Sequence, residues 1–397
     1  MTPAPGSGQS RLPGHPEEPV PELSVPASRR GASGILNVLL IAAAGVVLVL
    51  VGLFFFAALG SEAFILCGFL ALIPLGICLL GLHWIDRWEP EPRGALVFAF
   101  LWGAGVSVAL TLLLGGTVNE ILAMLLPLTP AEVLTTVIQA PLVEETAKGL
   151  GVLMLVFVRR SHFDGPLDGI VYAGTVGAGF AFTENILYFS AALAEAGGVG
   201  LQLGFVFVLR GLFSPFAHVL FTAAIGVALG IAVRRPGAVR IAGGFAAGLA
   251  AAVAGHMFWN GGMALVADDF FLFYFLLQVP LFALAVGGVT WLRRQEQRLT
   301  RQRLGEYAAA GWFTPAEVNL LSTPAGRRQA LHWAGAFGAK APMRTFIREA
   351  THLALTRQQL VNGREPEKNT ARERRLLSEL TQTRTGLLGV AAAGRRY

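Results

Sequence analysis

Glu144 and Glu145 stand side by side and Lys148 follows one turn later, all within the apolar run 134–158. A run of that length can cross a bilayer as a helix, because about 20 residues at about 1.5 Å each suffice. Each charge near the centre of such a helix costs about 2.5–3.5 kcal/mol even on the mildest scale. The three charges therefore need partners. Glu144 and Lys148 are i,i+4 neighbours and can pair. Glu145 points about 100° further round the helix and must find its partner on another element.

Three other apolar runs supply candidates. Thr183-Glu184-Asn185 lies in one; Arg210, Ser214 and His218 recur at i, i+4, i+8 in the next; His256 and Asn260 share a face of a third. Counted inward from the Arg-marked end of each run, Glu144 is 14 residues deep and Glu184, His218 and His256 are each 15 deep. At about 1.5 Å per residue all four reach about 21–23 Å, one common plane in a core about 30 Å thick. Residues that merely glue helices have no reason to agree in depth, whereas one shared site does.

The inventory suits hydrolysis. One carboxylate can act as general base on water while its neighbour stays protonated as acid. Histidine and carboxamide donors can hold an oxyanion. It equally suits a divalent metal such as zinc, held by Glu and His with water activated by the metal. From another class, buried Glu and His chains also make the proton relay of a transporter, and a silent scaffold could hold single-span partners in the same cleft. Nucleophilic chemistry finds little support: Ser214 has no elbow motif, and Cys67 and Cys78, the only cysteines, lie together in a distant run. Their spacing suggests neither a metal site nor a disulfide framework.

What must position these groups is a membrane bundle. The chain has 397 residues, 54% hydrophobic and 14% charged, which excludes soluble globular and disordered classes. We expect an all-α, polytopic transmembrane bundle of eight spans: 35–59, 63–82, 94–114, 134–158, 169–193, a long stretch 201–233 bent or broken at Pro215, 241–266 and 270–292. Residues 115–131 read as a short surface element. Arginines mark every second boundary (Arg29-Arg30, Arg87 with Arg93, Arg159-Arg160, Arg234-Arg235, Arg293-Arg294), and the alternate connections carry neither Lys nor Arg. The positive-inside rule then places both termini in the cytoplasm. Small residues (Gly174, Gly177, Gly179 and Ala181 before Glu184; Gly244, Gly248, Ala251 and Gly255 before His256) would let these helices approach closely.

Three regions follow: a Pro-rich N-terminal tail, 1–33, expected to be disordered; the membrane domain, 34–292; and a C-terminal region, 293–397, expected to be helical and cytoplasmic. The last holds 19 Lys and Arg against 8 Asp and Glu. Without a nucleic-acid motif, that basic charge suits the anionic inner leaflet; no partner for this region is legible. Thr314-Pro315-Ala316-Glu317 reads as a capping box and Thr323-Pro324 as a second helix start.

In this order on successive runs, Glu144-Glu145-x-x-Lys148, Phe180-x-x-x-Glu184-Asn185, Ser214-Pro215-x-x-His218 and His256-x-x-x-Asn260 resemble the PrsW family of intramembrane proteases, relatives of the CAAX-prenyl endopeptidases and bacterial immunity-type membrane proteases. Asp86-Arg87-x-Glu89-Pro90-Glu91-Pro92 resembles that family's first cytoplasmic loop. The resemblance implies peptide-bond hydrolysis of membrane-anchored proteins in the bacterial cell membrane; the family's type member acts on an anti-sigma factor. It implies Glu144 and Glu145 as the catalytic pair, completed by Glu184, His218 and His256. Asn260 is the expected oxyanion donor, with Lys148, Asn185, Arg210 and Ser214 in support. The favoured expectation is glutamate-activated water with no cofactor. Should a metal be used, Glu184, His218 and His256 are the expected ligands.

Overall fold

In lipid every backbone polar group must be bonded within its own segment or a closed sheet, and the apolar runs accordingly fold as helices. The structure, a computed structural model, describes residues 30–158, 163–262 and 269–394; the described residues are helical with no strand. The N-terminal tail up to residue 29, Arg159-Arg160 and most of the 267–269 connection lie outside them.

The helices are α1 (Arg30–Leu59), α2 (Ser61–Asp86), α3 (Arg93–Leu125), α4 (131–158), α5 (Pro166–Glu195), α6 (201–213), α7 (Ala217–Ala232), α8 (Ala238–Gly262) and α9 (Phe270–Ala309), then α10 (Pro315–Ser322), α11 (Pro324–Gly335), α12 (Lys340–Val361) and α13 (Pro366–Gly394). Among the described residues, six stretches are long and apolar enough to cross a membrane: α1, α2, α3, Leu201–Ala232, α8 and α9. The two left out, α4 and α5, carry the glutamates and are the most enclosed. Val38, Phe69, Leu80 and Leu113 point outward and are more than 60% exposed, as side chains facing acyl chains should be. The expected surface element at 115–131 is instead the end of α3, which stays helical to Leu125. The 201–233 stretch breaks at Ser214–Phe216 into two helices.

Prolines shape this unit. Three π turns, Leu134–Gln139, Phe207–Phe213 and Tyr274–Gln278, each end two residues before a proline: Pro141, Pro215 and Pro280. Proline has no N–H to give and crowds the carbonyl four residues back, so the preceding turn widens. A fourth, Trp102–Ser107, has Gly103 and Gly105 instead of a proline.

Helix α5 runs through the centre, buried almost all round. Pro166 opens it, and Asp168 caps it by accepting from the backbone N–H of Asp164 and Gly165 at 2.7 and 2.8 Å. Its glycines set the helix spacing. A Cβ on Gly169 would lie 2.0 Å from the carbonyl oxygen of Gly226 on α7, and one on Gly226 would lie 2.0 Å from that of Gly169. A Cβ on Gly177 would meet the His218 carbonyl at 2.6 Å. In the loop before α3, the Glu91 N–H donates to Asp86 at 3.0 Å and Tyr172 donates its hydroxyl to the buried Glu91 carboxylate. Burial, then the nearby Asp168 charge, holds the Glu91 carboxyl well above the usual range.

The chain divides into two units, 27–233 with 237–289, and 290–397 with the Arg234–Pro236 turn. In the second, the Thr314 hydroxyl accepts from the Glu317 N–H at 3.2 Å while Glu317 accepts from the Thr314 N–H at 2.7 Å. Thr323 caps α11 through the Gly326 N–H at 3.0 Å. Met343, Phe346, Ile347, Ala350, Leu353 and Ala354 form the buried stripe of α12, packed with Leu304, Tyr307, Leu376 and Leu380.

Candidate functional site

Past Pro141, α4 is regular, and its carboxylates and ammonium turn inward together. The closer partner of Lys148 is Glu145, at i,i+3, with Nζ 2.6 Å from Oε1; Glu144, the expected i,i+4 partner, is 3.4 Å away. The ammonium is fully buried, 3.1 Å from His218 Nδ1 and 4.1 Å from the centre of the Phe180 ring. An isolated charge there would be very costly; pairing and the ring's negative face offset it.

Glu145 finds its partners on three helices. Besides Lys148, Thr222 on α7 donates its hydroxyl to Oε2 at 3.0 Å and His256 on α8 sits with Nδ1 3.0 Å from Oε1. The residue is wholly enclosed. Glu144 differs: its Oε2 is 4.0 Å from Nδ1 of both histidines, its Oε1 has no hydrogen bond among the described residues, and it lines a cavity of about 330 Å³. One glutamate is saturated and its neighbour faces open space.

The ring nitrogens can be assigned from their partners. An ammonium only donates, so His218 Nδ1 accepts from Lys148 and its Nε2–H donates to Glu184 at 2.6 Å. At His256, Nδ1–H donates to the Glu145 carboxylate, leaving the Nε2 lone pair unengaged. Its ring stacks on Phe221, centroids 4.9 Å apart.

Glu184 is held from the far side by Arg210, which donates to it and, through Nε, to Asn185 Oδ1 at 2.9 Å. The guanidinium lies over the Tyr188 ring at 3.7 Å. Along this chain Arg210 pairs with Glu184 and Lys148 with Glu145, and the neutral His218 ring links the two pairs by donating to Glu184 and accepting from Lys148. The cavity beside this chain is walled by Glu144, Glu184, Arg210, His218 and His256, with Tyr188, Phe221 and Trp259 as aromatic lining.

Asn260 also lines the cavity, but its Nδ2 donates to the Thr136 carbonyl at 2.9 Å, tying α8 to the π turn of α4. Ser214, at the break before α7, donates to Gln278 Oε1 at 3.2 Å. Thr183 donates to the Ala104 carbonyl at 2.8 Å, a packing bond. Sequence reasoning passed over Thr222, Tyr188, Phe221 and Gln278, and gave Phe180 a place in a motif but no role at the site. Thr222 had a signal, being one turn beyond His218 on the same face. So did Gln278, a lone amide two residues before a proline in an apolar run.

Glu144, Glu145, His218 and His256 each bring a donor atom within 4.8 Å of the others, a set that by residue type could hold a metal ion. Glu184, expected among the ligands, is not in this group and is engaged by Arg210 and His218. Lys148 stands against three of the four donors, with Nζ 2.6–3.4 Å from each. That is where a cation shared by them would sit.

A lipid-facing helical bundle with a Glu/Lys/His centre beside a cavity defines the class: a multi-pass integral membrane protein with an enclosed polar site. Residues 91–285 match the family model described as PrsW family intramembrane metalloprotease. It is 34% identical over 164 residues to Protease PrsW of Clostridioides difficile (strain 630), and 31% identical over 156 residues to Protease PrsW of Geobacillus kaustophilus (strain HTA426). These alignments cover 40% and 39% of this chain and 62% of each relative's length. A Bacillus subtilis (strain 168) Protease PrsW is 38% identical over 87 residues, covering 22% of this chain and 35% of the relative. No solved structure matches. The bacterial relatives and the apolar helices make the chain a multi-pass protein of the bacterial membrane.

Proposed function

We propose that this protein is an intramembrane endopeptidase that cuts membrane-anchored proteins with a glutamate-activated water. The observation that carries this reading is the contrast between two adjacent carboxylates. Glu145 is saturated by Lys148, Thr222 and His256, while Glu144 turns an unengaged oxygen to the cavity. A base must reach its water before its pKa matters. Glu144 takes the proton of a cavity water, and the hydroxide attacks the scissile carbonyl. The C–N bond then breaks, and the proton passes to the leaving amine. His256 offers its Nε2 lone pair to orient the water. Glu145 is the anchor that holds His256 and Lys148 in register.

The Lys148 ammonium supports a metal-free reading. It and a divalent ion would compete for the same donors, and their charges repel; a metal would fit only with Lys148 displaced. The Arg210–Glu184–His218 chain positions that ammonium. The depth count from the sequence favours a cut nearer the extracytoplasmic face.

Co-expression with a panel of single-span bacterial membrane proteins, anti-sigma factors among them, tests the reading. Wild type should shorten some members at sites inside or just outside the span, and Glu144→Gln at normal abundance should shorten none. Fragments unchanged by Glu144→Gln, or a wild type that yields none, would overturn it.

A further inference from the structure

Gln278 is 97% buried, yet its carboxamide is only half engaged. Its Oε1 accepts from Ser214 at 3.2 Å, while Nε2 makes no hydrogen bond among the described residues; the side chain lines the cavity that holds Glu144. An amide N–H left without a partner in an enclosed, lipid-surrounded site is unfavourable. Facing the cavity, that N–H is available to whatever polar group enters it.

The local fold explains its aim. Phe273 and Gln278 are the two buried residues of this stretch, five positions apart, with Phe271, Leu272, Phe275 and Leu276 exposed. In an α-helix five residues are about 140° out of phase, but in a π turn, bonded i to i+5, they share a face. The turn Tyr274–Gln278 before Pro280 therefore swings Gln278 into the cavity. The turn is pinned by Phe213, whose ring stacks with Tyr274 at 5.0 Å. Asn260, the carboxamide expected in this role, already gives one N–H to Thr136.

A membrane-spanning helix has every carbonyl bonded within itself, so a protease must first unwind it. Each carbonyl released in a site without bulk water then needs a donor. We infer that Gln278 is a substrate-binding residue whose Nε2 donates to a backbone carbonyl of the unwound segment of a membrane-spanning peptide, with Ser214 fixing the amide's orientation. This rests on the endopeptidase reading, since only a chain about to be cut has to unwind.

The test uses the whole protein in detergent and two synthetic Leu/Ala transmembrane peptides, one with a central Gly-Gly-Pro break and one without. Fluorescence anisotropy should show wild type favouring the broken peptide, and Gln278→Met should lose about fivefold of that preference, within the two- to twelvefold of one neutral hydrogen bond. Binding of the unbroken peptide and the thermal midpoint should not move. Ser214→Ala should lose less, because it disorders the amide without removing it. Gln278→Glu donates only when protonated, so its preference should fall with rising pH more steeply than that of wild type. A preference retained in Gln278→Met, equal losses in Ser214→Ala and Gln278→Met, or no preference in wild type would overturn the inference. A wild type that favours the broken peptide but never cuts it would sink the endopeptidase reading alone.

Discussion

The ammonium of Lys148 lies 2.6 Å from the carboxylate of Glu145, three residues earlier on the same helix, and neither side chain touches solvent. The pair cannot be split cheaply. Removing one member of a buried ion pair typically costs about 3–5 kcal/mol, because the other is left charged and unpaired. Lys148→Met should therefore destabilise strongly in thermal unfolding in detergent. The double variant Lys148→Met with Glu145→Gln should be distinctly more stable than the two single losses added together. Simple additivity would mean that the two charges do not depend on each other.

Chelation separates the ammonium from a metal. If Lys148 is the resident cation, strong chelators should leave cleavage of a responsive substrate within about twofold, and added zinc should not raise it. Loss in chelator with recovery on zinc would favour the metal set Glu144, Glu145, His218 and His256.

Helix spacing gives a sharp contrast between two glycines. A Cβ at Gly226 would lie 2.0 Å from the Gly169 carbonyl, so α5 and α7 would have to part, drawing His218 away from Lys148. Overpacking of this kind costs about 1–3 kcal/mol or more, and Gly226→Ala should lower both the thermal midpoint and cleavage. Gly68→Ala meets nothing within 4 Å and should be neutral or stabilising by up to about 1 kcal/mol, the helix-propensity gain.

Glu91 predicts a pH dependence. Burial, then Asp168, raises its carboxyl well above the ordinary value, so the folded protein prefers it protonated. Its contribution is fully present below about pH 4.3, the unfolded carboxyl's range, and is lost as pH rises through the raised folded value. Glu91→Gln should thus gain stability over wild type at about pH 8, and that gain should shrink toward pH 5. A pH-independent difference in midpoint between the two proteins would refute the assignment.

Topology can be read with single cysteines at Ala196 and Ala238, both exposed and next to the connections they report. The native Cys67 and Cys78 are buried. A membrane-impermeant thiol reagent on intact cells should label Ala196→Cys and spare Ala238→Cys. Labelling of both from outside would overturn the arginine-based orientation and, with it, the common depth of the four site residues.

The helices, their order and the residue types of the polar centre were legible in the sequence for one reason. In lipid the backbone must bond locally, so apolar runs become helices wherever they occur, and costly groups such as Glu144, Glu145, His218 and His256 stand out against them. The partnerships were not legible. Each residue of rotation turns a helix by about 100°, and rotation is set by which surfaces pack: the glycine contact of Gly169 with Gly226, and the π turns before Pro141, Pro215 and Pro280. Those tertiary choices brought Thr222 and His256 to Glu145, bound Asn260 to the Thr136 carbonyl, and turned Gln278 from the lipid side into the cavity. A one-dimensional pattern carries the composition of a membrane site, but the angles at which its helices meet decide which of its atoms remain free to react.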